Sequence, residues 1–316
     1  KQLWARKVLS VQSVSVFEKS LTDSRANVFM LLAVFFWSLN PVAMKIALEH
    51  ASPNLIATAR VISAALLIWG LLLVWKIKFN WRELGFEPFL MGLIEPGINS
   101  ILFLLAMTMV PLPNVILFSC LLPFIQSLLG RFFLKEPFQV SVWVGGTLAI
   151  VGMLIFLQGQ ELDWNMGLGN ALLLLCYLLA GVNQLLTRRV MKAERALLPI
   201  TACQMTTASL VTLGVLWFDQ EIFLFPTMSS TYDWVLVVYL MSSIALPFLL
   251  YNRALRQLPM GVASLMIILT IPLGCILSWL LLNEPLTPPL LLGGLLVVLG
   301  ALIPQIRGFR SRRLAV

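Results

Sequence analysis

The chain has 316 residues, of which 59% are hydrophobic and 11% are charged. Soluble domains have about 45–50% apolar and about 25% charged residues, so this composition excludes an ordinary soluble protein. The formal net charge of +8 does not indicate a nucleic-acid partner, because the basic residues are spread over many short segments.

Ten apolar stretches follow one another along the chain. Each is roughly 18–23 residues long, close to the roughly 20 helical residues that cross the hydrocarbon core of a bilayer. We therefore predict an all-α, multi-pass integral membrane protein. Its ten transmembrane helices would lie at 28–48, 54–75, 85–107, 112–134, 140–157, 165–187, 197–218, 234–252, 260–282 and 288–306.

The loops between these stretches carry positive charge on one side only. When the loops are sorted alternately, every Lys and Arg except Lys45 and Arg60 falls on the side of the two termini. Asp and Glu show no such bias. This asymmetry is the positive-inside rule, so we predict that the N- and C-termini are cytoplasmic. We expect the membrane to be a bacterial inner membrane.

The second half of the sequence repeats the first. A Glu-Pro pair, a Gly-Gly pair and a further Gly recur at one constant offset, starting from Glu136 and from Glu284, and Asn40 aligns with Asn183. Because each half has an odd number of helices, the two halves must be inverted relative to each other, as in many secondary transporters. We interpret the two glutamates as structural carboxylates at helix N-termini. The predicted segments are a cytoplasmic N-terminal segment 1–27, five-helix repeats 28–157 and 165–306, and a basic cytoplasmic tail 307–316.

Several of these segments resemble the EamA type of the drug/metabolite transporter superfamily. They are FWSLNPVAMK at 36–45, SP at 52–53 leading to ARVISAA at 59–65, and the LKEP and LNEP boxes at 134–137 and 282–285. The resemblance covers about 28–306. It implies ten helices in two inverted repeats and the export of small metabolites, often amino acids or their derivatives, driven by an ion gradient or by exchange.

Two ionisable side chains lie well inside the predicted helices, Glu95 near the middle of the third and Arg60 in the second. Charged groups within a bilayer are costly and usually serve a function. We interpret Glu95 as a proton-coupling or substrate-amine site, and Arg60 as its counter-ion or as a ligand for a carboxylate. The alternative is a purely structural ion pair between helices.

Prolines at repeat-related positions indicate where a central site lies, because they free backbone carbonyls near mid-membrane. Pro96 and Pro247 fall in the third and eighth helices, and Pro123 and Pro272 in the fourth and ninth. We predict that these prolines act as hinges around a site between the four helices, with the first helix contributing. The other candidate binding residues are Trp37, Asn40, Asn99, Gln126, Asn183, Tyr251, Asn252 and Trp279.

These features favour a secondary-active exporter of amino acid-like or amphipathic, neutral or zwitterionic metabolites. Two alternatives remain: an antiporter of anionic solutes such as sugar phosphates, which needs several buried cations, and a channel, which needs repeated polar rings. The chain has one histidine and no hydrolase or P-loop motif, so we predict no enzyme, metal or cofactor. The expected partners are a small solute, the bilayer and protons as the coupling ion, with monomer and homodimer both open.

Overall fold

The computed structural model describes residues 25–47, 51–163, 165, 167–193, 196–218 and 231–313. Within these ranges it does not describe the side chains of residues 41, 44–46, 53, 83, 104, 231–242 and 307–313. Residues 1–24 of the predicted N-terminal segment 1–27 and residues 314–316 of the basic tail lie outside the described residues.

The described residues form helices joined by short connections and contain no strand, which confirms the all-α prediction. A single π-helical turn, Leu93–Ile98, separates α5 from α6. The helices are α1 (Arg25–Ser38), α2 (Asn40–Ala47), α3 (Pro53–Val74), α4 (Trp81–Leu84), α5 (Glu87–Gly92), α6 (Asn99–Met107), α7 (Leu112–Ser119), α8 (Leu122–Leu134), α9 (Val140–Phe156), α10 (Leu168–Lys192), α11 (Leu197–Phe218), α12 (Thr231–Ala254), α13 (Met260–Ile267), α14 (Thr270–Leu282) and α15 (Pro288–Arg313).

Seven described stretches are long and apolar enough to cross a membrane, and each falls on one of the predicted helices. The apolar helices α1 and α9 are shorter, and they fall on the predicted first and fifth helices. The remaining predicted helix, the eighth, lies within α12. The seven stretches are Asn54–Val74, Glu87–Met107, Leu112–Leu134, Leu168–Lys192, Leu197–Phe218, Met260–Leu282 and Pro288–Ile306.

The backbone carries the internal repeat that the sequence indicates. α7 and α8 are separated by a short break, and α13 and α14 are separated by a break at the equivalent place. Pro123 and Pro272 lie in the first turn after these breaks, where a missing N–H leaves no helical hydrogen bond unmade. Lys135 and Asn283, which end α8 and α14, are both left-handed, with φ of 54° and 56°. In contrast, α12 continues through Pro247 without interruption.

Helices α9 and α15 pack antiparallel, backbone against backbone, through the repeated glycines. A Cβ atom on Gly152 would lie 2.8 Å from the carbonyl oxygen of Gly293, and a Cβ atom on Gly145 would collide with the carbonyl oxygen of Gly300. Each contact therefore pairs the first glycine of one repeat with the last glycine of the other. Reciprocal contacts of this kind indicate an approximate two-fold axis between the two helices.

Adding a single methyl group to this contact should destabilise the protein. We expect Gly145→Ala to lower the midpoint of thermal unfolding in detergent, because the new Cβ atom must push the α15 backbone away. Gly70→Ala is the matched control, since it lies inside α3 with no atom within 4 Å of the added Cβ. It should leave the midpoint unchanged or raise it, because alanine favours helix by about 1 kcal/mol over glycine. Equal midpoints for the two variants would contradict this account of the contact.

Candidate functional site

A cavity of about 890 Å³ lies inside the helical bundle, a volume in the range of small-molecule sites. Its wall includes Asn54 at the start of α3, Thr108 just after α6 and Val215 near the end of α11. The cavity therefore reaches the end of the bundle where these helix termini meet. Seven of the predicted site residues line it: Trp37, Arg60, Glu95, Asn99, Gln126, Asn183 and Tyr251.

Glu95 lies where the third predicted helix is interrupted. Its backbone is extended, with φ −147° and ψ 126°, and the following Pro96 has no N–H to donate. Side chains replace the backbone N–H donors of a regular helix. Gln204 Nε2 donates to the Glu95 carbonyl oxygen at 3.1 Å, and the Ser100 hydroxyl donates to the Pro96 carbonyl oxygen. The freed backbone groups are thus satisfied, which allows an interruption at this depth.

Glu95 is half-buried and lines the cavity. Asn183 Nδ2 donates to its Oε2 at 3.4 Å, and Asn99 lies beside it. Asn183 belongs to α10 of the second repeat, so the contact joins the two halves of the chain. Among the described contacts, no ion pair joins Glu95 to Arg60.

Arg60 connects three helices at another part of the cavity wall. Its Nε donates to the Ser243 hydroxyl of α12 at 3.2 Å, and its Nη2 donates to Asn40 Oδ1 of α2 at 3.1 Å. Asn40 is therefore placed by Arg60 and is not itself among the lining residues. These contacts give Arg60 a clear part in joining α2, α3 and α12.

Aromatic rings form one wall of the cavity. Trp37 packs edge-on against Phe248, with ring centroids 5.6 Å apart, and its ring is tilted against that of Tyr251, with centroids 5.3 Å apart. The Tyr177 hydroxyl donates to the Val115 carbonyl oxygen at 2.8 Å, which fixes the ring in the wall. Such a surface suits an apolar or aromatic part of a solute.

Amide side chains beneath the cavity surface have unmet hydrogen-bonding capacity. Asn99, Gln126, Asn183 and Gln184 are all at least nine-tenths buried. The side-chain oxygen of each lacks a hydrogen-bond partner among the described residues, and so does the Gln184 nitrogen. Leaving a buried polar atom unpaired costs about 1–3 kcal/mol, and these four amides all belong to residues that line the cavity.

Asn252, Trp279 and the four predicted hinge prolines are, like Asn40, not among the residues that line the cavity. Asn252 is buried and donates from Nδ2 to the Thr201 hydroxyl at 3.2 Å, outside the cavity. Trp279 is 47% exposed on α14 and also lies outside it. Pro247 is in α12 as described above. The described residues contain no group of His, Cys, Asp and Glu that could hold a metal, and the four cysteines are free.

The sequence interpretation missed Gln184, Tyr177 and Phe248, which also line the cavity. Gln184 carried a usable signal: a glutamine next to Asn183 inside an apolar stretch is expensive unless it has a partner. The two aromatic residues carried none, because aromatic side chains are equally suited to lipid contact and to helix packing.

A buried ionic cluster lies at the opposite end of the bundle. The Glu136 carboxylate accepts from Arg188 Nε at 3.0 Å and lies 3.4 Å from Lys192 Nζ. It also accepts from the Met260 backbone N–H at 3.1 Å, and Arg188 donates to the Leu255 carbonyl oxygen. As expected, Glu136 lies at a helix N-terminus, but the helix is α13 of the other repeat and not the α9 that follows it in sequence.

Comparison with known proteins agrees with this architecture. The sequence profile of the EamA-like transporter family matches residues 24–158 and 167–304. The chain belongs to this family. The fold of this EamA-like protein is similar to that of a solved structure described only as a crystal structure of a protein, with a TM-score of 0.74. The two sequences are 16% identical, and the match covers 91% of this chain and 99% of the other. No curated protein matches the sequence.

Membership of the EamA-like family confirms the resemblance noted in the Glu-Pro boxes. It makes the chain a multi-pass integral membrane protein of the transporter class and not of an enzyme class. A small-molecule solute and the lipid bilayer are therefore its partners, and the cavity that contains Glu95 is the candidate place for the solute.

Proposed function

We propose that this EamA-like protein is a secondary-active exporter of small metabolites that works by alternating access around the Glu95 cavity. The observation that supports this most directly is the asymmetry of the bundle. The cavity reaches one end, while the Glu136–Arg188 cluster lies at the other. A carrier needs such a one-sided state, and the inverted repeat supplies a route to its counterpart.

The membrane arrangement is part of the proposal. Ten helices cross the membrane, with repeats at 28–157 and 165–306 and both termini in the cytoplasm of a bacterial cell. The Glu136 cluster then faces the cytoplasm and the cavity opens outward. Glu284, the repeat-related counterpart of Glu136, is the candidate to close the outer end in the inward-open state.

The solute is proposed to be amino acid-like or amphipathic, and neutral or zwitterionic overall. Arg60 is the one cationic side chain in the described cavity wall, and it already binds Asn40 and Ser243. An anionic antiporter of this fold would have little with which to bind a phosphate. A channel is disfavoured because the residues of the buried Glu136–Arg188 cluster, at the opposite end of the bundle, do not line the described cavity.

Counterflow in proteoliposomes tests this function. Vesicles preloaded with one unlabelled compound should take up the same labelled compound transiently, with saturable kinetics, for at least one member of a panel of amino acids, amines and nucleosides. Uptake that is not saturable, together with ion conductance in the same vesicles, would replace the carrier with a channel.

A further inference from the structure

We propose that the solute is bound through a protonated amine, which lies against the Glu95 carboxylate among the side-chain oxygens of Asn99, Gln126 and Asn183, while its apolar part packs on the Trp37 wall. This proposal rests on the proposed transport function and assigns the chemical class of the solute. It extends the neutral or zwitterionic class proposed above to amines that carry no carboxylate and are therefore cationic.

The first observation is the balance of donors and acceptors. The buried amides of the wall leave four oxygens without partners, on Asn99, Gln126, Asn183 and Gln184, against one nitrogen on Gln184. A ligand group that meets these oxygens has to be a hydrogen-bond donor. An ammonium group has up to three donors and no acceptor, whereas a hydroxyl also brings lone pairs and a carboxylate brings acceptors alone.

The second observation is charge. Glu95 is the one carboxylate in the described wall of the cavity, and its described hydrogen bonds come from an amide and not from a cation. Asn183 Nδ2 donates to Glu95, so its Oδ1 points away from the carboxylate, and this oxygen is buried without a partner. A buried carboxylate is stabilised most by a positively charged donor.

The third observation is the distribution of apolar surface. Trp37, Tyr251 and Phe248 form a continuous aromatic cluster on the cavity wall, and Tyr251 lies near Glu95. Aromatic faces attract cations as well as hydrocarbon. An amphipathic ammonium compound, with a short chain between its amine and its ring, matches the arrangement of carboxylate, amide oxygens and rings.

The unpartnered oxygens have almost no exposed surface in this conformation, although their residues line the cavity. They therefore gain partners when the cavity contracts around the solute, and not at first encounter. Binding energy is then released in the occluded state, where it favours the conformational change. In this proposal the ammonium group is the element that links recognition to closure.

Binding to the purified full-length protein tests the proposal with matched compounds. Phenethylamine and 2-phenylethanol have nearly the same shape, and 3-phenylpropionate carries the opposite charge. Thermal unfolding and titration calorimetry are run in potassium phosphate, because amine buffers would compete for the site. We expect the amine to raise the unfolding midpoint and to bind at least about tenfold more tightly than either other compound, a difference of about 1.4 kcal/mol.

Variants locate the effect at Glu95. Glu95→Gln keeps the size of the side chain and removes its charge, so it should abolish the preference for the amine. Glu161→Gln is the control, because Glu161 is exposed in the segment after α9. It should bind the amine as the unmodified protein does. If Glu95→Gln does not fold, the comparison of amine with alcohol on the unmodified protein still decides.

Several outcomes would overturn the proposal. Equal binding of amine and alcohol would do so, as would tighter binding of the carboxylate or no binding of the amine at millimolar concentrations. Stabilisation by sodium over potassium, with no response to the amine, would assign the site to an inorganic cation instead. Counterflow separates the ammonium site from the proposed transport function. Exchange of a neutral compound would support the carrier and refute the ammonium site. Binding of the amine without any exchange would support the ammonium site and refute the carrier.

Discussion

Replacing Glu136 with glutamine should lower the free energy of unfolding by about 3–5 kcal/mol, the usual cost of removing one partner of a buried ion pair. Arg188 has only 6% of its side chain exposed and would keep its charge without a carboxylate beside it. The first N–H of α13 would also lose its charged acceptor. Thermal or denaturant unfolding in detergent measures the loss.

The double variant Glu136→Gln/Arg188→Met makes this prediction specific. Removing both charges should recover most of the lost stability, because no buried ion then lacks its partner. Glu161→Gln, at an exposed position, should change little. A double variant no more stable than Glu136→Gln would show that the stabilisation comes from packing at this end and not from the ion pair.

Transport driven by a pH gradient should disappear in Glu95→Gln. Glu95 is the one carboxyl group in the described cavity wall. A carboxyl group that can bind a proton or a cationic solute, but not both at once, couples the transport of one to the transport of the other. A gradient of one pH unit is worth about 1.4 kcal/mol per proton, enough for up to about tenfold accumulation. We expect proteoliposomes with the unmodified protein to accumulate the transported solute to this extent, and proteoliposomes with Glu95→Gln to accumulate none.

Glu95→Asp distinguishes the effect of losing the titratable group from the effect of changing the size of the side chain. Aspartate retains a titratable group with a shorter reach, so we expect gradient-driven accumulation to persist at a lower initial rate. If Glu95→Gln responds to the gradient as the unmodified protein does, Glu95 is not the coupling group and another driving ion or an exchanged solute must be sought.

Glu95 could be predicted as a cavity residue because of its surroundings in sequence. A carboxyl group within a long apolar stretch, followed by proline, is too costly to face lipid. Asn99, Gln126 and Asn183 followed from the pairing of repeats, and Trp37 followed from its place in the middle of a predicted helix. All four line the same cavity. The seven membrane-spanning stretches of the described chain followed from hydropathy alone.

The facing of individual side chains could not be predicted. Tyr251 lines the cavity and its neighbour Asn252 does not, because adjacent residues on a helix point about 100° apart. A helix that is apolar all round carries no amphipathic pattern to reveal which face is turned inward. The same limit applies to Trp279, which is exposed on α14.

The backbone N–H that Glu136 binds could not be predicted from the sequence, for a different reason. Local sequence places this residue before α9, whereas the N–H it binds belongs to Met260 in the other repeat. A contact between such distant parts of the chain depends on how the two repeats are assembled, which helix-by-helix patterns do not contain.

The glycine contact between α9 and α15 limits how mutations here can be compensated. In most helix pairs, a larger residue on one side can be accommodated by a smaller one opposite. Gly145 meets the backbone of Gly300, and Gly152 meets that of Gly293, so the opposing residue is already the smallest available. Second-site suppressors of Gly145→Ala should therefore arise away from this pair, at positions where they let a whole helix move.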